Sequence, residues 1–67
     1  MKYKAENYIG KNIQLYPGDT YSKFGIIVNV DDLGWTIKIT NAHERSDYEL
    51  NKEYFFNHST NLKFKFM

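Results

Sequence analysis

The sequence predicts a small all-β domain of about five strands. Three observations support this prediction: apolar and polar residues alternate in short stretches, turn-forming residues separate those stretches, and no long stretch shows helical periodicity. The 67 residues have room for one domain, which we place at residues 1–67. The chain has no cysteine and is 18% aromatic, so large rings must fill much of its small core.

The first predicted strand is Lys11–Tyr16, in which Ile13 and Leu15 alternate with polar residues. The turn at Pro17–Asp19 ends this strand, because proline cannot donate a backbone hydrogen bond to a neighbouring strand. A polar loop over Thr20–Lys23 is then expected to lead into the next strand.

The hairpin Phe24–Thr40 is the most clearly patterned part of the chain. Its tight turn is Asp31–Gly34, where the glycine can take the positive φ angle that Leu33 would resist. Strict alternation predicts two distinct faces for the first strand of this hairpin. One face carries Phe24, Ile26, Val28 and Val30, and the other carries Gly25, Ile27 and Asn29.

The second half of the chain is less regular. Asn41–Glu53 is polar and predicts a long loop, with room for a helical turn. The consecutive rings of Tyr54–Phe56 predict a strand with aromatic residues on both faces, one in the core and one covered by the loop or a partner. Asn57–Asn61 predicts a turn able to include a 3₁₀ step, and Leu62–Phe66 alternates as the last strand.

Composition limits the functions open to the chain. Its net charge is +1 and Arg45 is its only arginine, which argues against a strong binder of nucleic acid. No apolar stretch approaches the ~18 residues that cross a membrane. The first residues lack the apolar segment of a secretory signal. We therefore expect a cytoplasmic protein.

The motifs for catalysis or metal binding are incomplete. There is no cysteine nucleophile. His43–Asp47 begins like a His-Glu-x-x-His zinc motif but has aspartate at the position of the second histidine. Asp31 and Asp32 offer fewer oxygens than the six to eight, roughly, that calcium takes. The sequence thus predicts a non-catalytic protein without a metal or a cofactor.

Two segments resemble a known family. Phe24–Trp35 is similar to the second strand, acidic loop and opening tryptophan of SH3 domains, and Leu15-Tyr16 stands where their aromatic motif begins. The resemblance implies a small five-stranded SH3-like barrel. Peptide-binding SH3 domains carry proline and tyrosine before the last strand, but Asn57–Asn61 has neither, so binding of proline-rich peptides is not implied.

The segment Tyr54–Ser59 also resembles SH3-barrel proteins encoded by bacteriophages. That resemblance implies a protein in the host cytoplasm that modulates or inhibits a host protein, for example one of a defence system.

Exposed aromatic residues next to acidic ones predict a protein-binding groove, since tyrosine and tryptophan are common at binding hot spots. Trp35→Ala and Tyr16→Ala are expected to weaken partner binding without unfolding the domain. The alternative is that these rings merely complete the core. The candidate residues are Tyr16, Asp19, Tyr21, Asp31, Asp32, Trp35, Tyr48 and Tyr54.

Two further hypotheses remain open. A lysine edge formed by Lys2, Lys4, Lys63 and Lys65 would bind nucleic acid weakly. In the last strand, alternation sends its lysines to one face and its phenylalanines to the other, which argues against one stacking platform. The second hypothesis is a homo-oligomer formed by pairing of exposed edge strands.

Overall fold

The computed structural model describes residues 4–67 and contains five strands: β1 (Asn12–Leu15), β2 (Lys23–Val30), β3 (Gly34–Ala42), β4 (Glu53–Asn57) and β5 (Phe64–Phe66). They form one antiparallel sheet with the strand order β4-β3-β2-β1-β5. Two short 3₁₀ helices, Ala5–Asn7 and His58–Thr60, precede β1 and β5. The predicted all-β class with five strands is confirmed.

The first and last strands pair with each other. Strand β1 lies between β2 and β5, with Ile13 opposite Gly25 on one side and opposite Phe66 on the other. The side chains of Ile13 and Leu15 are fully buried, as expected for the apolar positions of a strand whose two edges are both paired.

Strand β2 changes the face that it buries, which corrects the strict alternation predicted from sequence. Its register is irregular between Ile27 and Asn29, where Val28 is an extra residue relative to β3. A β-bulge of this kind shifts the following side chains to the other face. Consequently Ile27 and Val30 are both buried, while Phe24 is only partly buried on the opposite face.

The turn between β2 and β3 is held by Asp31, whose carboxylate accepts the backbone N–H groups of Leu33 at 2.9 Å and Gly34 at 3.1 Å. Gly34 does not have the positive φ angle predicted for it. Glycine is required at this position because there is no room for a side chain. A Cβ atom there would lie 2.1 Å from the carbonyl oxygen of Phe56 and 2.8 Å from a ring carbon of Phe55.

The loop after β3 folds back over the end of the sheet. This loop contains hydrogen-bonded turns instead of the helical turn for which the sequence left room. In one of them, the N–H of Ser46 donates to the carbonyl of His43 at 2.9 Å. Tyr48 then packs edge-on against Tyr54, with 4.9 Å between ring centroids. The loop thus covers part of the inner face of β4, whereas Phe55 on the opposite face is 53% exposed and is not covered by the loop as the sequence suggested.

The predicted 3₁₀ step before the last strand is present at His58–Thr60. Asn57 caps it by accepting the N–H of Ser59 at 2.9 Å, and Asn61 ends it in the left-handed region at φ 57°.

The core lies on one face of the sheet, and its buried apolar members come from β1, β2 and β3. Partly buried rings of β4, β5 and the flanking loops pack around it. Among residues 4–67, no helix is long and apolar enough to cross a membrane. The buried apolar residues are Ile13, Leu15, Ile27, Val30, Trp35, Ile37 and Ile39.

Candidate functional site

A groove lined mainly by aromatic side chains lies between the segment before β1, the second 3₁₀ helix and β5. Its volume is about 370 Å³. Trp35 forms its floor and is only 4% exposed, whereas Phe66 on its wall is 51% exposed. We call this site the aromatic groove; its lining residues are Tyr8, Trp35, Asn57, His58, Asn61, Leu62, Phe64 and Phe66.

The rings of the groove contact one another in a fixed arrangement around Trp35. Tyr8 and Phe64 each meet the indole edge-on with 5.2 Å between centroids, and His58 does so at 5.6 Å. Tyr8 also stacks on Phe66 at 6.1 Å. Edge-to-face packing of this kind holds rings rigidly, which reduces the entropy lost when a ligand side chain binds among them.

His58 connects the groove to the acidic turn. Its Nε2 atom lies 2.7 Å from the carbonyl oxygen of Asp31, and its backbone N–H donates to Leu33 at 2.9 Å. Because a carbonyl oxygen only accepts, Nε2 carries the proton in this contact. Asp32, the next residue of the turn that His58 contacts, is exposed.

The eight predicted protein-binding residues do not form one surface. Trp35 lies in the core, so it is not the exposed anchor that the sequence suggested, although it does reach the groove floor. Asp31 uses its carboxylate to close its own turn. Asp31 and Asp32 are both exposed, but the Asp31 carboxylate is engaged in its own turn.

Three of the remaining predicted residues form a second cluster around the loop after β3. Tyr48 packs against Tyr54. Burial raises the pKa of the Tyr48 hydroxyl, since burial disfavours the phenolate, and the proximity of Tyr16 adds to this increase. Tyr54 also accepts the N–H of Glu49 through its hydroxyl oxygen at 2.9 Å. These tyrosines are half-buried and join loop to sheet.

Lys23 is the residue that sequence reasoning missed in this region. Predicted to lie in a polar loop, it is the first residue of β2 and only 7% exposed. Its Nζ atom donates to the carboxylate of Asp19 and to the carbonyl of Tyr21 at 2.8 Å, and lies 5.7 Å from the Tyr16 ring centroid. The buried ammonium thereby fixes the loop between β1 and β2.

Asp19 is accordingly a structural partner of Lys23 as well as a surface charge. The hydrogen bond from Lys23, followed by one from the N–H of Thr20, lowers the pKa of the Asp19 carboxyl. Tyr21 lies on the other side of this loop and stacks on His43, with 4.8 Å between centroids. Neither Asp19 nor Tyr21 lines the aromatic groove.

Tyr16 adopts a conformation that few large residues take, with a φ angle of 46°. Its N–H donates to the carbonyl of Lys63 at 2.8 Å, and its carbonyl accepts the N–H of Asp19 at 3.0 Å. These two hydrogen bonds hold the strained residue at the junction of β1, β5 and the following loop.

The predicted lysine edge is only partly described, because Lys2 lies outside residues 4–67. Lys4 precedes the first 3₁₀ helix, and Lys65 lies in β5. The strand register adds a neighbour that the sequence did not reveal: Lys65 is opposite Gln14, and Gln14 is opposite Phe24 on its other side. Lysine and phenylalanine from different strands thus share the face away from the core.

Two groove residues carried no functional signal in the sequence. Tyr8 precedes the first strand among polar residues, and His58 stands in a polar turn. Their place in the groove follows only from the fold, which brings both rings into contact with Trp35. Among the described residues, no group of three or more His, Asp or Glu side chains is placed to hold a metal ion.

Comparison of the chain with models of known protein families, with curated proteins and with solved structures gives no match.

Proposed function

We propose that the protein is a non-catalytic binding module that uses the aromatic groove to hold a segment of another protein. The observation that carries the proposal is the groove itself, in which rigidly packed rings surround a buried indole and leave Phe66 half exposed. Pockets with an aromatic floor and a few polar rim groups are typical binding sites for protein side chains.

The chemistry of the groove suggests the kind of segment that it accepts. The rings in its lining offer an apolar surface beside the polar side chains of Asn57 and Asn61, so we expect an apolar side chain of the ligand to contact the rings. Asp32 is exposed at the end where His58 contacts the turn, so a basic residue beside that apolar side chain would be attracted there. The proposed ligand is therefore a short protein segment with one apolar anchor and one adjacent basic residue.

We also propose that the fold is an SH3-like barrel. The strand order β4-β3-β2-β1-β5, the short acidic turn after β2 and the 3₁₀ helix before β5 support this proposal. The resemblance of Tyr54–Ser59 to bacteriophage proteins suggests the kind of partner. It would be a host protein in the host cytoplasm, which binding of this domain to its surface would modulate or inhibit. A small domain can cover the ~800 Å² per partner of a standard interface without catalysis.

The test is a tagged pull-down from a lysate of the source cell, treated with nuclease and read by mass spectrometry. We expect a protein recovered in stoichiometric amount by the unchanged chain and lost with Phe66→Ala. Phe55→Ala is the matched control, because Phe55 is 53% exposed but lies outside the groove.

The second arm of the test concerns charge. Asp32→Lys should weaken capture of the same partner, since it reverses the charge beside the groove. If Phe66→Ala and Phe55→Ala capture the same proteins in equal amounts, the groove is not the binding site and the proposal fails.

A further inference from the structure

The face of the sheet turned away from the core combines lysines with a partly buried ring, and we call it the outer face. Phe24 and Ile26 lie next to each other along β2 on this face and are half-buried. Lys65 stands two strands away from Phe24, on the far side of Gln14. Lys38 is directly opposite Ile26 on β3. Two lysines therefore flank an apolar pair, at roughly 5–10 Å for strand spacings of this kind.

The charged residues that the strand register places on the outer face are mainly basic. Lys38 and Lys65 lie there, whereas Lys63 precedes β5 and has no strand partner. The acidic residue of the same rows is Glu53, which is opposite Lys38 at the β4 edge. Two lysines thus stand against one glutamate.

An open groove of about 470 Å³ runs beside the Phe24 ring. Asn12 and Asn41 on its walls are exposed, so their amide groups can donate to or accept from a ligand. The groove therefore offers an aromatic surface, neutral hydrogen-bonding groups and nearby positive charge in one place.

We propose that the outer face binds single-stranded nucleic acid. Proteins that bind single strands without sequence preference combine cationic side chains along the phosphates with rings on which bases stack, and unpaired bases expose the π-surface that stacking needs. Lys38 and Lys65 supply the charge, and Phe24 supplies the ring. The surface is separate from the aromatic groove and its partner.

The first experiment measures fluorescence anisotropy of a labelled oligothymidylate of about 12 nucleotides, a length within the usual range for one small domain. We expect weak binding, on the order of 10–100 µM at roughly 50 mM salt, that decreases as salt is raised. Lys65→Gln should reduce the slope of log affinity against log salt by about 0.7, the contribution of one phosphate contact to a single strand.

Lys52→Gln is the matched control for charge. Lys52 is a surface lysine that pairs with Glu49 at 3.7 Å and lies 5.4 Å from the Tyr54 ring, away from the outer face. It should leave affinity and salt slope unchanged. Glu53→Gln should instead raise affinity, because it removes the negative charge opposite Lys38.

The ring is tested separately from the charge. An abasic oligonucleotide of equal length keeps the phosphates and should bind about tenfold more weakly, since stacking on one ring accounts for that difference. Phe24→Leu keeps an apolar side chain at this position and should show the same loss with an unchanged melting temperature.

Three outcomes would overturn the proposal: no binding at low salt, equal affinity for the abasic strand, or equal affinity for polyglutamate of matched charge. The last would show that the outer face attracts any polyanion, acidic proteins included. Phe66→Ala is expected to bind the oligonucleotide normally, so failure of the groove proposal and failure of this one are distinguishable.

Discussion

Gly34 shows how one residue without a side chain lets two strands approach. The position of its missing Cβ is occupied by the backbone of β4, since the Phe56 carbonyl oxygen would be 2.1 Å away. The ring of Phe55 lies over the same point. A backbone contact of this kind cannot be relieved by a change of rotamer.

Gly34→Ala is therefore expected to destabilise the protein by about 1–3 kcal/mol or more, the range of overpacked sites. Chemical denaturation would measure the loss. Leu33→Ala is the control: that side chain is 65% exposed, and its removal should change stability little. Equal effects of both substitutions would contradict the steric explanation.

The Lys23–Asp19 pair makes the free energy of unfolding depend on pH in the acidic range. Its hydrogen bonds lower the pKa of Asp19, so the folded state favours the carboxylate. The resulting stabilisation is present above the ordinary aspartate pKa of about 3.9 and is lost as pH falls through the lowered value. Melting temperatures of the unchanged protein and Asp19→Asn should differ at neutral pH and converge in strong acid.

Lys23→Met in the Asp19→Asn background should recover part of the lost stability, because an unpaired buried ammonium is replaced by an apolar chain of similar length. A double variant less stable than Asp19→Asn alone would show that Lys23 is stabilising without its carboxylate partner.

At the scale of the elements, the loop after β3 is attached to the sheet largely through tyrosines. Tyr48 contacts Tyr54 at 4.9 Å and Phe56 at 6.3 Å between ring centroids. Asn51 and Lys52 then bond the backbone of Ile39, which returns the chain to β4. The attachment of the loop to the sheet thus depends on the partly buried hydroxyl of Tyr48 remaining protonated.

This arrangement should make the protein less stable in alkali. Burial raises the pKa of Tyr48, so its stabilising contribution is complete below the ordinary tyrosine pKa of about 10 and is lost as pH rises through the raised value. Unfolding free energy measured from about pH 8 upward should fall less steeply for Tyr48→Phe. Tyr21→Phe, which changes a ring stacked on His43, should retain the steep fall.

The sequence predicted elements better than it predicted the relations between them. Alternation located β1, β3 and the last strand to within a few residues, because each has a simple pattern. The two irregularities of register in β2 interrupt that pattern, and no particular residue type in the sequence marks where they occur. The placement of Lys65 on the same face as Phe24 follows from the register of three strands, which no single strand contains.

At the scale of the whole molecule, the small size of the core limits the free energy of unfolding. For a chain of this length, total stability is expected to be roughly 3–10 kcal/mol. Trp35 supplies the largest ring of the core, and the rings of Tyr8, His58 and Phe64 pack against it. The sequence pattern around Trp35 could not distinguish a groove anchor from a core residue, since both use a large ring.

Trp35→Ala is accordingly expected to cost about 3–5 kcal/mol, which is a large fraction of the total stability and would lower the melting temperature strongly. Circular dichroism and thermal melting would establish this. Phe66→Ala, at the exposed wall of the same groove, should remain folded. A folded Trp35→Ala variant with normal melting would show that the indole belongs to the binding surface rather than to the core.

The pairing of β1 with β5 also has a kinetic consequence. Ile13 lies opposite Phe66, and the N–H of Met67 donates to the carbonyl of Asn12 at 3.0 Å, so contacts of long sequence separation complete the sheet. Closing such a long loop costs entropy before its contacts form, which slows folding. During synthesis, β1 therefore keeps one unpaired edge until residues 64–66 leave the ribosome, and a nascent chain stalled before that point would present Ile13 and Leu15 to chaperones.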